Sequence, residues 1–361
     1  MKKMFLMAAM AGVALASCTK NDVETPEQDI ITFAEPVTAV QTKAVEIGVT
    51  YPTSQSFSVF ADYFTETQAG YTTLEEGKAY MRDVIVSYKG DLNGWASATN
   101  YYWPKQGTLT FAAYSPSSVA ASYGKSGIKF TDFTVGTDCT KQFDLLFSER
   151  TYNQTKADMV TDKPYSGVEL KFNHALSSIL FTVKTDKDYY NPDKFSIILK
   201  KISIKNVKTT ATFDQGLVDG PDETTKVVTN DFTTSCWSGH KGSAEYVAYQ
   251  DAQTLTTTPE FTKNINVTNP RVNDVNNTNL ILLPQEFNNG QQIYIEYQIV
   301  NGNTGVTIDQ NETIDLAYYD TCWKRGKRYI YNLTFAFDKI YFDPVVADWE
   351  EINVFPKEIG K

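Results

Sequence analysis

The chain has 361 residues, with 33 Lys or Arg against 43 Asp or Glu and only two histidines, a net charge of −10. A surface this acidic excludes a nucleic-acid partner, which needs Lys and Arg to neutralise phosphates. Tyr (22) and Phe (21) are abundant, as β-strands prefer.

The N-terminus reads as an export signal. Lys2 and Lys3 precede an apolar run of 12 residues, Met4–Leu15. That length suits the core of a secretory signal and is too short for a permanent membrane helix. Leu15, Ala16, Ser17 and Cys18 then match a lipobox: one branched aliphatic, two small residues and a cysteine. The small residues fit a narrow peptidase site, and the thiol takes up diacylglycerol. Residues 1–17 are therefore expected to be a signal peptide, and Cys18 the lipidation site. More than one acyl chain, palmitate among them, gives durable attachment to the cell outer membrane. Cleavage before Cys18 leaves 31 basic against 43 acidic residues, a net of −12. The following TKNDVETPEQD is polar and aperiodic and reads as a tether.

Beyond the tether no segment shows sustained helical periodicity, and strands recur. Leu109, Phe111 and Ala113 alternate with polar or small neighbours. Ile179, Phe181 and Val183 do the same, then Ile293, Ile295, Tyr297 and Ile299, then Tyr329, Tyr331, Leu333, Phe335 and Phe337. Such alternation predicts strands with one face in a core and one toward water. Turn signals separate them at Pro104–Gly107, Gly124–Gly127, Asn289–Gly290 and Gly302–Gly305. Short strands punctuated this often predict antiparallel sandwiches, an all-β fold. The folded length suits two domains. The polar stretch Thr151–Gly167 places their division near residue 165.

Catalytic signals are absent. Neither His174 nor His240 has a nucleophile or carboxylate at a recognised catalytic spacing, and no GxSxG, HExxH, Walker loop or GxGxxG is present. His174 reads as a structural histidine. Asp222–Glu223 and Glu350–Glu351 are sequence neighbours, which point to opposite faces of a strand. They read as solvated charge, not as a hydrolytic pair. Trp95, Trp103, Trp237, Trp323 and Trp349 read as packing, with a sugar-stacking platform as the lesser reading. Lys324–Arg328 (KRGKR) reads as a solvated loop entering a strand. Cys139, Cys236 and Cys322 lack metal-ligand spacing, so no zinc or other metal site is expected. One disulfide with one thiol, or three buried thiols, both fit. No cofactor is expected and no enzyme activity.

Four stretches resemble the fimbrillin-like proteins of Bacteroidales, the type V pilin superfamily. They are YYWPKQGTLTFAAYSP (Tyr101–Pro116), KFNHALSSILFTVK (Lys171–Lys184), LILLPQ (Leu280–Gln285) followed by IYIEYQI, and WKRGKRYIYNLTFAF (Trp323–Phe337) followed by a segment ending in ADWE. The resemblance implies two tandem antiparallel β-sandwich domains, Greek-key and transthyretin-like. In this division 18–45 is a lipidated tether with a removable first strand, 46–165 an N-terminal domain, and 166–361 a C-terminal domain with a donor-strand tail. It also implies a lipoprotein precursor, cut by a trypsin-like protease after a basic residue and assembled by donor-strand exchange.

Each step has a candidate in this chain. Ile30, Ile31, Phe33 and Val37 offer a first strand that covers the core. Lys43, in VQTKA, offers the processing site; an ordinary loop lysine fits that residue equally well. Val345, Val346, Trp349, Ile352 and Val354, within Ile340–Ile359, offer a donor strand; a native last strand with a short tail also fits, since 12 residues follow Trp349. The expected role is a structural or accessory subunit of a surface fimbrium. Its partners would be other subunits, the outer membrane through Cys18, and a host or bacterial surface ligand in cell adhesion. The alternative is a surface lipoprotein that binds glycan or host ligand without polymerising.

Overall fold

A computed structural model of the chain describes residues 29–38, 51–66, 77–92, 94–161, 166–187, 191, 193–217, 236–261, 279–336 and 339–349. The fold is all-β, and its only helices among the described residues are single 3-10 turns such as Cys139–Lys141 and Leu316–Tyr318.

The largest sheet has eight strands. Its order runs Val37–Thr38, Lys171–His174, Leu146–Ser148, Thr108–Ser115, Ser56–Phe64, Lys78–Lys89 and Gly94–Ser97, with Thr151–Gln154 also on the edge of Thr108–Ser115. A five-stranded sheet joins Glu260–Phe261, Ser177–Thr185, Lys327–Phe335 and Ile340–Asp348, with Leu280–Leu282 also paired to Ser177–Thr185. A four-stranded sheet follows the order Ala244–Thr254, Phe195–Val207, Gln292–Asn301 and Thr307–Asp315. A second four-stranded sheet follows Trp237–Lys241, Thr210–Asp214, Gly127–Thr134 and Ser122–Gly124. This last sheet takes two strands from each side of residue 165.

Strand alternation holds where one face meets water. Along Gln292–Asn301 the inward residues are Ile293, Ile295, Tyr297 and Ile299; along Lys327–Phe335 they are Tyr329, Tyr331, Leu333 and Phe335. The strand Thr108–Ser115 departs from the expectation, because all eight of its residues are buried. Its odd positions Leu109, Phe111 and Ala113 enter one core with Phe57, Val59 and Trp95. Its even positions Ala112 and Tyr114 enter a second core with Phe60, Phe130 and Phe213. One sheet therefore separates two cores, and small residues on that strand let both layers approach. Among the described strands the pairing is antiparallel except at two places, and an isolated bridge between Phe33 and Val168 is also parallel. Val37–Thr38 runs parallel to Lys171–His174, and Ser177–Thr185 runs parallel to Lys327–Phe335. The second pair is possible because a long stretch of chain returns between the two strands, as any parallel pairing requires.

Two stretches read above as polar or solvated carry regular structure or buried side chains. Part of the polar stretch 151–167 is a strand, Thr151–Gln154, paired with Leu109 and Phe111. The KRGKR run is no solvated loop. Arg325 is buried, with its guanidinium 5.3 Å from the Phe147 ring centre, and Gly326 turns the chain at φ +65°. The guanidinium spreads its charge over a plane and is weakly hydrated, so a ring face can cover it.

Candidate functional site

The first described segment, Asp29–Thr38, lies between two distant parts of the large sheet. On one side the Ile31 N–H donates to the Tyr101 carbonyl and the Phe33 N–H to the Trp95 carbonyl, both at 2.8 Å. The Trp103 N–H donates back to the Asp29 carbonyl at 2.8 Å. On the other side Ala34 and Val37 donate to the carbonyls of Val168 and Leu170, at 3.0 and 3.3 Å, and the Val168 N–H donates to the Thr32 carbonyl at 2.9 Å. The segment thus bridges the Gly94–Ser97 end of the sheet and its Lys171–His174 end. An edge strand exposes unpaired N–H and C=O groups; here one short segment satisfies two edges.

Its side chains fill the space between those edges. Ile31 and Phe33 are buried at 1% and 0% exposure. The Phe33 ring meets Phe57 and Phe111 edge-to-face, at 5.9 and 5.8 Å between centroids. Tyr51 and Trp95 complete the wall, their rings 5.2 Å apart. The Tyr51 hydroxyl shares a 2.7 Å hydrogen bond with Ser115 Oγ, and burial pushes its pKa well above the ordinary phenol range. Ile30 and Val37 are half-buried. At the outer end Lys156 forms an ion pair with Asp29, and the Thr32 hydroxyl donates to the Ser166 carbonyl at 3.0 Å.

Gly167 makes the close approach workable. A Cβ there would sit 2.5 Å from the backbone of both Thr32 and Phe33. Gly167→Ala is expected to push the segment off its seat while leaving the sheet beneath intact. Hydrogen exchange should show faster exchange at the Ile31, Phe33 and Ala34 amides; unchanged protection there would refute the tight seating.

The C-terminal candidates fall into a different arrangement. Val345 and Val346 lie on the strand Ile340–Asp348, opposite Ile330 and Tyr329, and are exposed at 43% and 50%. This strand is the free edge of the five-stranded sheet, and Pro344 near its middle is what an edge strand tolerates. Trp349 does not continue that edge. Its N–H donates to the Gly326 carbonyl at 3.0 Å, and its ring is buried and stacked on the imidazole of His174, 4.1 Å away and 10° from parallel. His174 Nδ1 lies 2.8 Å from Asp144 Oδ2, with both side chains buried. His174 Nε2, Asp144 Oδ1 and Trp349 Nε1 are buried without a hydrogen-bond partner. The spacing of these residues in sequence gave no sign that they meet.

Cys18, Lys43, Ile352 and Val354 lie outside the described residues. All five tryptophans are buried, so none forms a surface platform for sugars. His240, on the strand Trp237–Lys241, has Nε2 2.7 Å from the Pro284 carbonyl, a contact between distant segments. Cys139, Cys236 and Cys322 are present as thiols, two buried and the first half-buried. Among the described residues no cluster of three metal-ligating side chains occurs.

With this geometry in view, comparison with known proteins is informative. The model of the family described as fimbrillin-like matches residues 42–349. The chain belongs to the fimbrillin-like family. The match begins one residue before Lys43 and ends on Trp349, so the covering segment precedes the matched region. Among solved structures, a fimbrial protein from Bacteroides vulgatus is 16% identical, with a TM-score of 0.56 over 89% of this chain and 99% of its own. That similarity establishes a shared fold. A candidate cell adhesion protein from Bacteroides uniformis matches at 17% identity and a TM-score of 0.48, over 90% of this chain and 100% of its own. A third, from Bacteroides ovatus, matches at 14% identity and 0.46, over 89% and 96%. Curated proteins gave no match.

Proposed function

We propose that this fimbrillin-like chain is a structural or accessory subunit of a bacterial surface fimbrium, and that its role is assembly, not catalysis. The observation that carries the reading is the seat of residues 29–38. A short segment near the N-terminus closes two sheet edges and plugs an aromatic groove. Lys43 follows it by five residues. Hydrolysis after Lys43 would leave the segment held by noncovalent contacts alone. Its loss would expose unpaired backbone and an empty apolar groove together, the two things a donor strand satisfies.

In this reading Cys18 carries lipid and holds the precursor at the outer membrane, and the leader from Cys18 to Lys43 is released on maturation. The groove itself draws on both sides of residue 165, since Val168, Leu170 and Phe172 line it together with Phe57, Trp95 and Phe111. The donor is better sought after Trp349, at Ile352 and Val354, than at Val345 and Val346. Using the latter would require stripping Ile340–Asp348 from its partner strand and breaking the Lys327–Asp348 ion pair.

The test is limited trypsin digestion of the purified precursor, followed by sizing. Cut wild-type protein should form oligomers, a synthetic peptide of residues 29–38 added in excess should suppress them, and Lys43→Gln should prevent them. Oligomers that form equally from Lys43→Gln, or that ignore the peptide, would refute the reading.

A further inference from the structure

A cleft of about 230 Å³ lies away from the covering segment, between the strands Ser56–Phe64 and Lys78–Lys89 and the turn after Ser122–Gly124. Three cations face it, Arg82, Lys125 and Arg150, against one carboxylate, Asp62. This is a net positive concavity on a chain whose overall charge is −10.

Arg82 is fixed in place. One nitrogen, Nη1, donates to the carbonyls of Ala61 and Met81 at 2.7 and 2.8 Å, and Nη2 pairs with Asp62. Asp62 is thereby occupied. Arg150 and Lys125 have no carboxylate within ion-pairing distance among the described residues. Arg150 is half-buried, with its guanidinium lodged where a side chain on Gly127 would otherwise sit. A guanidinium placed this way, with no carboxylate partner among the described residues, is a preorganised fork for an oxyanion.

The rest of the lining restricts the ligand. Tyr123 stacks flat on Phe60, 4.9 Å apart and 6° from parallel, so its ring is rigid. Burial pushes its hydroxyl pKa up to about 12, which keeps it a hydrogen-bond donor. Phe64 and Ala79 supply an apolar wall, and Gly77 and Gly124 supply bare backbone. Ligand pockets for drug-sized molecules span roughly 300–1,000 Å³, so this cleft suits something about the size of one sugar ring. At about 230 Å³ the cleft favours a single compact acidic ring over an acidic peptide, whose backbone needs an extended groove.

We propose that this cleft is a binding site for an acidic sugar, held through its carboxylate by Arg150 and Lys125 with its ring against Phe64. It acts independently of the covering segment and of any assembly role.

The test is ligand-observed NMR on the full mature chain at low salt, with glucuronate, glucose and acetate as probes. Glucuronate should give saturable binding, glucose none, and acetate should compete only weakly. Arg150→Gln should weaken glucuronate binding about tenfold, the usual worth of one charge-assisted hydrogen bond, with the thermal midpoint unchanged. Lys125→Ala, at an exposed position, is a second variant that cannot fail through misfolding and should also weaken binding. Absence of glucuronate binding, equal binding of glucose, acetate as tight as glucuronate, or full binding by both variants would each overturn the proposal. So would capture of an acidic peptide in preference to glucuronate.

Discussion

Phe33→Ala is expected to lower the unfolding free energy by about 3–5 kcal/mol, the range for deleting a buried phenyl ring. The ring is fully buried and meets Phe57 and Phe111 edge-to-face, so its loss opens a hole walled by aromatic groups. Those walls are fixed by Tyr51 and Trp95 behind them, which limits collapse and favours the upper part of the range. Thr32→Ala, one residue away and facing outward, removes a single exposed hydrogen bond to Ser166. It should cost no more than about 1 kcal/mol. Urea unfolding followed by tryptophan fluorescence measures both. Equal effects at the two positions would mean that the segment is held by its backbone bonds and that the groove contributes little.

Trp349→Ala is expected to be the second large effect, at about 3–5 kcal/mol. The indole covers His174, whose imidazole is committed to Asp144 in a buried pair. Removing it uncovers that pair and releases the last anchor before residue 350. The variant should therefore also become sensitive to proteases near its C-terminus, while the strand Ile340–Asp348 keeps its pairing with Lys327–Phe335. Asp144→Ala acts on the same cluster from the other side and leaves the buried imidazole without its hydrogen-bond partner, a loss of about 1–3 kcal/mol. Because Trp349 and Asp144 both act through His174, one by stacking and one by a hydrogen bond, the double variant should lose less than the sum of the two single losses. Strict additivity would mean that Trp349 and Asp144 act separately.

Much of the strand content was legible because period-2 alternation follows from a strand with one wet face. Gln292–Asn301 and Lys327–Phe335 show this. The shared sheet was less legible. Ala112 and Tyr114 read as the outer face of a half-buried strand, yet a second core covers them, and only tertiary packing reveals that. The inward positions of the covering segment were visible in Ile31 and Phe33, whereas its role in joining two edges depends on where Trp95 and Val168 arrive. Trp349 was read as part of an exportable strand because it sits at the end of an apolar run. Its true neighbours, His174 and Asp144, lie far away in sequence, and no local pattern encodes that contact. Arg325 was misread for a related reason: a basic run suggests water, but the Phe147 ring is brought over it by a distant strand.

The central claim is that the segment 29–38 is a removable cover. N-terminal sequencing of fimbrial material sheared from intact cells tests it most directly. The account predicts a sequence beginning at Ala44, with no peptide from residues 18–43 in the polymer. Assembled material that begins at acylated Cys18 and retains Phe33 would contradict it.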